Sequence, residues 1–291
     1  GNKPAQERSN KTGRMFDRHQ IGRATSDKNH PKKDWQPIFQ KPAHQKQNHM
    51  PTNCANLARV SQTSLTQPLV FQPIFLERIW GGRRLESLYG KRLPPAIRVG
   101  ESWEIVDRPE AQSVVHHGPF RGLTLHALWQ KHREQIFGSV PEAKRFPILA
   151  KLLDAQDNLS LQVHPPPAIA RELGGESKSE FWYILDAAPK AEIFAGLEKG
   201  STRGAFVQAL KQGDVLKYAH RMPVETGNAI FLPSGRLHAI GAGNLIVEIQ
   251  QNSDTTYRVF DWNRVLKGGK TRKLHIAEAL QSIDFSDREP T

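Results

Sequence analysis

Beyond residue 68 the chain alternates apolar and polar positions with the two-residue repeat of strands that bury one face. Asn244–Gln251 shows it most plainly, with Leu245, Val247 and Ile249 on one face and Ile246, Glu248 and Gln250 on the other. Residues 159–164 repeat the pattern, setting Leu159, Leu161 and Val163 against Ser160, Gln162 and His164. Residues 70–80, 100–106, 111–115, 179–185, 191–195, 237–240 and 256–260, together with Ala229–Leu232, read as further short strands, because they are apolar runs set between Gly, Pro and polar turn residues. Three stretches change to the helical repeat. Residues 124–138 carry Leu125, Leu128, Trp129, His132 and Ile136 on one face, with Thr124 as cap and Gly138 past the end; residues 201–212 take Ser201 as cap and Gly213 as stop; residues 276–283 form a closing helix. Many short strands with few helices predict a mainly β fold, a β-sandwich or jelly roll with a few helical insertions.

The pattern lapses at the other end. Residues 1–66 are rich in Lys, Arg, Asn, Gln, His and Pro, with isolated aromatics at Phe16, Trp35 and Phe39, too little apolar area to offset the entropy of ordering. They predict a disordered basic tail, from a truncated or wrongly started reading frame if Met50 is a later start, and residues 67–291 form the globular region. Twelve Lys and Arg against four Asp and Glu put +8 of the chain's +12 in that tail, so the globular region is not basic enough to suggest a nucleic-acid partner. The single cysteine, Cys54, excludes an intramolecular disulfide, and no apolar run approaches the roughly 18 residues of a membrane span. These features predict a soluble cytoplasmic protein with no membrane or nucleic-acid partner.

The polar faces of the strands carry candidate chemistry. Residues 227–238, GNAIFLPSGRLH, place a glycine, five residues and P-x-G-x-x-H in the order of the second signature of cupin jelly rolls, and the turn chemistry of Pro233 and Gly235 aims His238 inward. With Gln162 and His164 on one strand and Glu180 on another, the chain offers two imidazoles, a carboxylate and an amide oxygen, a donor set suited to one Zn²⁺ with a position left for water or substrate. Singly, His238 is equally a hydrogen-bonded structural histidine, and Glu180 the buried partner of Lys178 or of an arginine. Lys151, Lys178, Arg258 and the Ser160 hydroxyl supply cations and a donor for a phosphate; Arg258 lies in an apolar strand and needs a partner.

In order along the chain, FQPIF, IWGG, GESWEI, FPILAKLLDAQDNLSLQVHP, KSEFWYIL, FLPSGRLHAIGAG and VEIQQNSDTTYRVFDWNR resemble the type I mannose-6-phosphate isomerases of the short bacterial form, over residues 69–285. The resemblance implies a zinc-dependent cupin enzyme that interconverts mannose 6-phosphate and fructose 6-phosphate. It puts the metal ligands on Gln162, His164, Glu180 and His238, the active-site arginine on Arg258, and Ser160, Lys151 and Lys178 near the metal or the substrate phosphate. Pro166 and Pro167 depart from it, standing where the family commonly has two acidic residues, at the rim of the pocket. Moving a proton between C1 and C2 through an enediol needs a base and something electropositive where the oxyanion develops. Arg258 is too weak an acid to serve as a free base. Glu248 and Asp254 are the candidate carboxylates, and a zinc-bound water stays open. A metal-dependent cupin oxygenase and a non-catalytic sugar-phosphate-binding cupin are the rival readings.

Overall fold

The computed structural model describes residues 68–266 and 268–289, so the tail expected over residues 1–66 lies outside the described residues. In chain order the strands are β1 (Ile74–Gly82), β2 (Val99–Ile105), β3 (Asp107–Arg108), β4 (Ala111–Gln112), β5 (Ile148–Ala155), β6 (Leu161–Val163), β7 (Glu180–Ala187), β8 (Glu192–Leu197), β9 (Ala219–Pro223), β10 (Ala229–Leu232), β11 (His238–Ile240), β12 (Asn244–Gln251) and β13 (Tyr257–Phe260). The helices are α1 (Arg84–Tyr89), α2 (Leu125–Lys131), α3 (Arg133–Phe137), α4 (Pro167–Ala170), α5 (Arg203–Gln212) and α6 (Ile276–Ser282). Two antiparallel sheets dominate, one of six strands in the order β1-β2-β5-β12-β7-β10 and one of five in the order β13-β6-β11-β8-β9; apart from β1-β2 and β8-β9, neighbours in the sheets are not consecutive in the chain, as in a jelly roll.

The main core joins the inner faces of both sheets. Leu153, Trp182, Ile184, Leu232 and Ile246 come from the larger sheet and Ile193, Ala195 and Ile240 from the smaller. A second core lies on the other face of the smaller sheet, where Leu161, Val163, Ala239 and Val259 meet Phe206 of α5 and Ala279 of α6. The mainly β cupin-type sandwich expected from the alternation is therefore present, with α5 and α6 covering one face of the smaller sheet and Leu85 of α1 packed against the larger one. The outer face of the larger sheet has a different character: Phe231, Phe181 and Ile249 stand side by side on β10, β7 and β12, and all three are exposed, as is Tyr183. No helix among the described residues is long and apolar enough to cross a membrane.

Local readings need four corrections. Residues 124–138 form two helices rather than one. Thr124 caps the first, its Oγ1 accepting from Ala127 N at 3.0 Å, but His132 leaves helical geometry at φ −130°, ψ 25° and separates α2 from α3. The cap of α5 is Thr202, whose Oγ1 accepts from Ala205 N at 3.2 Å, while Ser201 lies one residue too early and its buried hydroxyl has no hydrogen-bond partner. The strand read over 159–164 is shorter, and Leu159 packs into the inter-sheet core while Leu161 and Val163 face the helices. Strands β5 and β9 are not visible in the sequence pattern: β5 buries Lys151 on one face and carries apolar Ala150 and Leu152 on the other, which masks the two-residue signal, and β9 is an edge strand that ends in proline. At the departure from the family pattern, Pro167 takes the first position of α4, where a missing N–H costs nothing.

The cap assignment is testable by substitution. Thr202→Ala is expected to destabilise the fold by about 1 kcal/mol in denaturant titration, and Ser201→Ala to be neutral or stabilising because it removes an unsatisfied buried hydroxyl. Equal losses in the two variants would return the cap to Ser201.

Candidate metal centre

Three chain segments meet at one end of the sandwich. Gln162 sits in β6 with His164 just past its end, His238 opens β11 directly opposite Gln162, and Glu180 opens β7 in the other sheet, paired with Leu232. The turn at Pro233-Ser234-Gly235 ties them together. Gly235 takes φ +95°, a conformation costly to any side chain, and its N–H donates to the His164 carbonyl at 2.8 Å, while Ser234 N–H donates to the Ser179 hydroxyl at 3.0 Å. The glycine and proline of the sequence signature thus fix where His238 starts its strand.

The side chains converge. His164 Nε2 lies 3.4 Å from Glu180 Oε2, His238 Nε2 lies 3.3 Å from Glu180 Oε1, and the Gln162 amide is 3.3 Å from His238 Nε2. The two histidines and the glutamate are each about 1 % exposed. Each imidazole is oriented from behind: His164 Nδ1 donates to Thr255 O and His238 Nδ1 to Arg236 O, both at 2.8 Å. A carbonyl only accepts, so the protons are on Nδ1 and both Nε2 lone pairs point at the carboxylate.

Burial keeps the rings neutral. It pushes the His164 pKa down to about 3, helped by the Lys178 charge, and it lowers that of His238 as well. Burial alone would raise the Glu180 carboxyl, but Lys178 Nζ at 2.8 Å and then the two histidines outweigh it and hold Glu180 ionised, well below the usual carboxylate range. Two lone pairs and a carboxylate therefore face one another with no proton between them, and among the described residues neither His164 Nε2 nor Glu180 Oε1 receives a hydrogen bond. Tetrahedral donors about 2.0–2.1 Å from a zinc ion are roughly 3.4 Å apart, the spacing found here, so the residues fit a divalent cation. The Gln162 amide presents its nitrogen to His238; turned over, it presents its oxygen in the same place. A second trio, Glu198, His220 and Glu289, also brings three donors together, but it is partly exposed, and Glu289 already accepts from Lys199 N.

Charges of alternating sign run away from the centre across the inner face of the larger sheet. Lys178 Nζ also donates to Gln250 Oε1 at 3.0 Å and stands 3.7 Å from Glu248 Oε1; Lys151 Nζ is 2.8 Å from Glu248 Oε1 and 3.9 Å from Glu101 Oε2; Arg78 Nε donates to Glu101 Oε1 at 2.7 Å. Burial disfavours the Lys151 charge, but Glu248 and Glu101 more than restore it, and the Glu101 carboxyl is brought down to about 2, against the pull of burial, by Arg78 and Lys151. Trp182 Nε1 donates to Glu248 Oε2 at 2.9 Å. Arg258, on β13, donates from Nε to Ser160 Oγ at 3.2 Å and from Nη1 to Lys273 O at 3.0 Å and touches no carboxylate. Burial, and then Arg272, lower its pKa to about 10, so it stays cationic at neutral pH. Asp254 is half-buried in the connection between β12 and β13.

Gln162, His164, Glu180 and His238 are thus brought together as the alternation implied, with Ser160 and Arg258 on one side and Lys178, Glu248 and Lys151 on the other. Both lysines already have carboxylate partners, which singles out Arg258 among the three cations. Sequence reading missed Glu101 and Arg78. The signal for Glu101 was available, because a carboxylate beside Trp103 in GESWEI raises the same question as Glu180 in EFWYIL.

Comparison with known proteins identifies the family. Residues 69–198 match the family model described as phosphomannose isomerase type I, catalytic domain. Two relatives from Bacillus subtilis (strain 168), the probable mannose-6-phosphate isomerase GmuF and the mannose-6-phosphate isomerase ManA, are each 42% identical over 221 residues, 75% of this chain and 69% of the relative. A crystal structure of the mannose 6-phosphate isomerase from Bacillus subtilis superposes with a TM-score of 0.72 at 39% identity, covering 78% of this chain and 71% of that one. On a match of that identity over more than two thirds of the relatives' length, the chain belongs to the type I phosphomannose isomerase family.

Proposed function

We propose that the protein is a zinc-dependent aldose–ketose isomerase that interconverts mannose 6-phosphate and fructose 6-phosphate. The observation that carries the reading is the buried meeting of two imidazole lone pairs and an ionised carboxylate with no proton among them, next to an arginine that lacks a carboxylate. Gln162, His164, Glu180 and His238 would hold the metal, one ion per chain. When bound, zinc supplies Lewis acidity to the sugar oxygens at C1 and C2.

The remaining work falls to the chain's own side chains. Arg258, held by Ser160 beside Gln162, faces the reacting carbons and stabilises the enediolate oxygen as charge develops there. Lys178 keeps Glu180 ionised as a ligand, and Lys151, through Glu248, completes the charge balance around it. Glu248 has both oxygens engaged, by Lys151 and by the Trp182 indole, and acts to position the lysines. Asp254, one residue before the carbonyl that orients His164, is the carboxylate assigned to carry the proton between C1 and C2. A phosphorylated substrate suits a site lined with cations, and we read the enzyme as cytoplasmic.

Elemental analysis of the purified protein is expected to give roughly one zinc per chain. Chelation should abolish interconversion in a coupled mannose 6-phosphate assay, zinc should restore it, and Glu180→Gln should lose the metal itself. Full activity in a verified metal-free sample would overturn the mechanism; zinc binding without turnover would leave a sugar-phosphate-binding protein, and oxygen consumption an oxygenase.

Arg258→Ala is expected to lower kcat by about 10²–10³-fold, the usual cost of removing one oxyanion donor, with little change in thermal midpoint or zinc content. Near-normal kinetics in that variant would remove Arg258 from the active site.

A further inference from the structure

We infer that Arg78 binds the phosphate of the substrate and so sets the preference for a phosphorylated sugar; this deepens the isomerase reading and rests on it for the identity of the ligand. Arg78 lies on the inward side of β1, between buried Leu76 and Trp80. The pairing of β1 with β2 loses its regular register at this point, and Gly100 stands across the irregularity. A Cβ on Gly100 would fall 2.5 Å from Arg78 Cβ and 2.7 Å from its Cγ, so the glycine is what allows the arginine stem to cross β2. The guanidinium arrives at Glu101 by one edge only. Nε makes the 2.7 Å bond, Nη1 makes a long 3.4 Å contact with the Glu77 carbonyl, and Nη2 has no hydrogen bond to a described residue.

Holding Glu101 does not require Arg78, because Trp103 Nε1 donates to the same carboxylate at 2.7 Å and Lys151 stands 3.9 Å away. The partly exposed guanidinium is also within the field of residues from other elements. Burial opposes its charge, Glu101 and then Asp254 sustain it, and Arg78 is in turn among the cations that hold Arg258 down. Two arginines from opposite sheets therefore lie within each other's field, Arg258 at the metal end through Ser160 and Gln162, Arg78 at the far end of the row that begins at Glu180. A hexose 6-phosphate with C1 and C2 at the metal donors carries its dianion at the other end of its chain, and the unused Nη edge of an arginine is matched to phosphate oxygens.

The test uses the zinc-loaded full chain with Arg78→Met and Arg78→Lys. Arg78→Met is expected to raise KM for mannose 6-phosphate by about tenfold or more, the loss of one charge-assisted hydrogen bond, with a smaller fall in kcat and unchanged zinc content. Calorimetric affinity for inorganic phosphate should weaken by a similar factor, and Arg78→Lys should recover part of both. Unchanged KM and phosphate affinity, a loss confined to kcat, or loss of zinc along with phosphate affinity would each overturn the assignment. Phosphate binding needs no turnover: Arg78-dependent binding in a wild-type protein that fails to isomerise would sink the isomerase reading and leave Arg78 standing.

Discussion

Glu180 is a fully ionised carboxylate almost completely removed from water, and the rest of the site is arranged around that fact. Left alone, such a group would take up a proton rather than pay the desolvation cost of its charge. Lys178 prevents this from one side, at 2.8 Å, and a divalent cation among the histidines would do so from the other. The imidazoles contribute by staying neutral: their Nδ1 protons are committed to backbone carbonyls, so only lone pairs remain for the centre. A proton on either Nε2 would satisfy the carboxylate with a hydrogen bond, but burial makes that proton hard to keep.

One buried charge requires another, and the larger sheet answers with a row. Arg78, Lys151 and Lys178 alternate with Glu101, Glu248 and Glu180, three cations against three carboxylates, so the row is neutral as a whole while every member stays charged. The antiparallel register makes this possible, because Lys151 and Glu248 are direct cross-strand partners and Gln250 is paired with Glu180. The smaller sheet supplies the neutral donors. The site is therefore a junction between the charged row of the larger sheet and the imidazoles, amide and Arg258 of the smaller one, and neither sheet contains it alone.

Much of this was legible in sequence, and the reason is the strand repeat. Period two assigned Gln162 and His164 to one face of β6, and Glu248 and Gln250 to one face of β12, before any coordinates. The glycine and proline punctuation located His238 because a left-handed turn admits little else at Gly235. What failed to show was whatever depends on a partner far away in the chain. Strand β5 hides its alternation because its buried face carries Lys151 while its other face carries the apolar Ala150 and Leu152; the break at His132 is set by geometry within a continuous helical repeat; and Arg78 reaches inward only because Gly100, on the neighbouring strand, has no side chain. The departure at Pro166-Pro167 looked like a disruption, yet the second proline simply starts α4.

Strand β7 carries its two faces at close quarters: Glu180 and Trp182 point into the site, and Phe181 and Tyr183 point out to solvent beside Phe231 and Ile249. Because successive side chains change face, sliding this strand by one residue would deliver a phenylalanine where the carboxylate belongs and set the carboxylate outside. Substitutions along β7 can be absorbed one side chain at a time, whereas a single inserted or deleted residue would exchange the faces together. The fold is therefore less tolerant of a change in the length of this strand than of most single replacements along it.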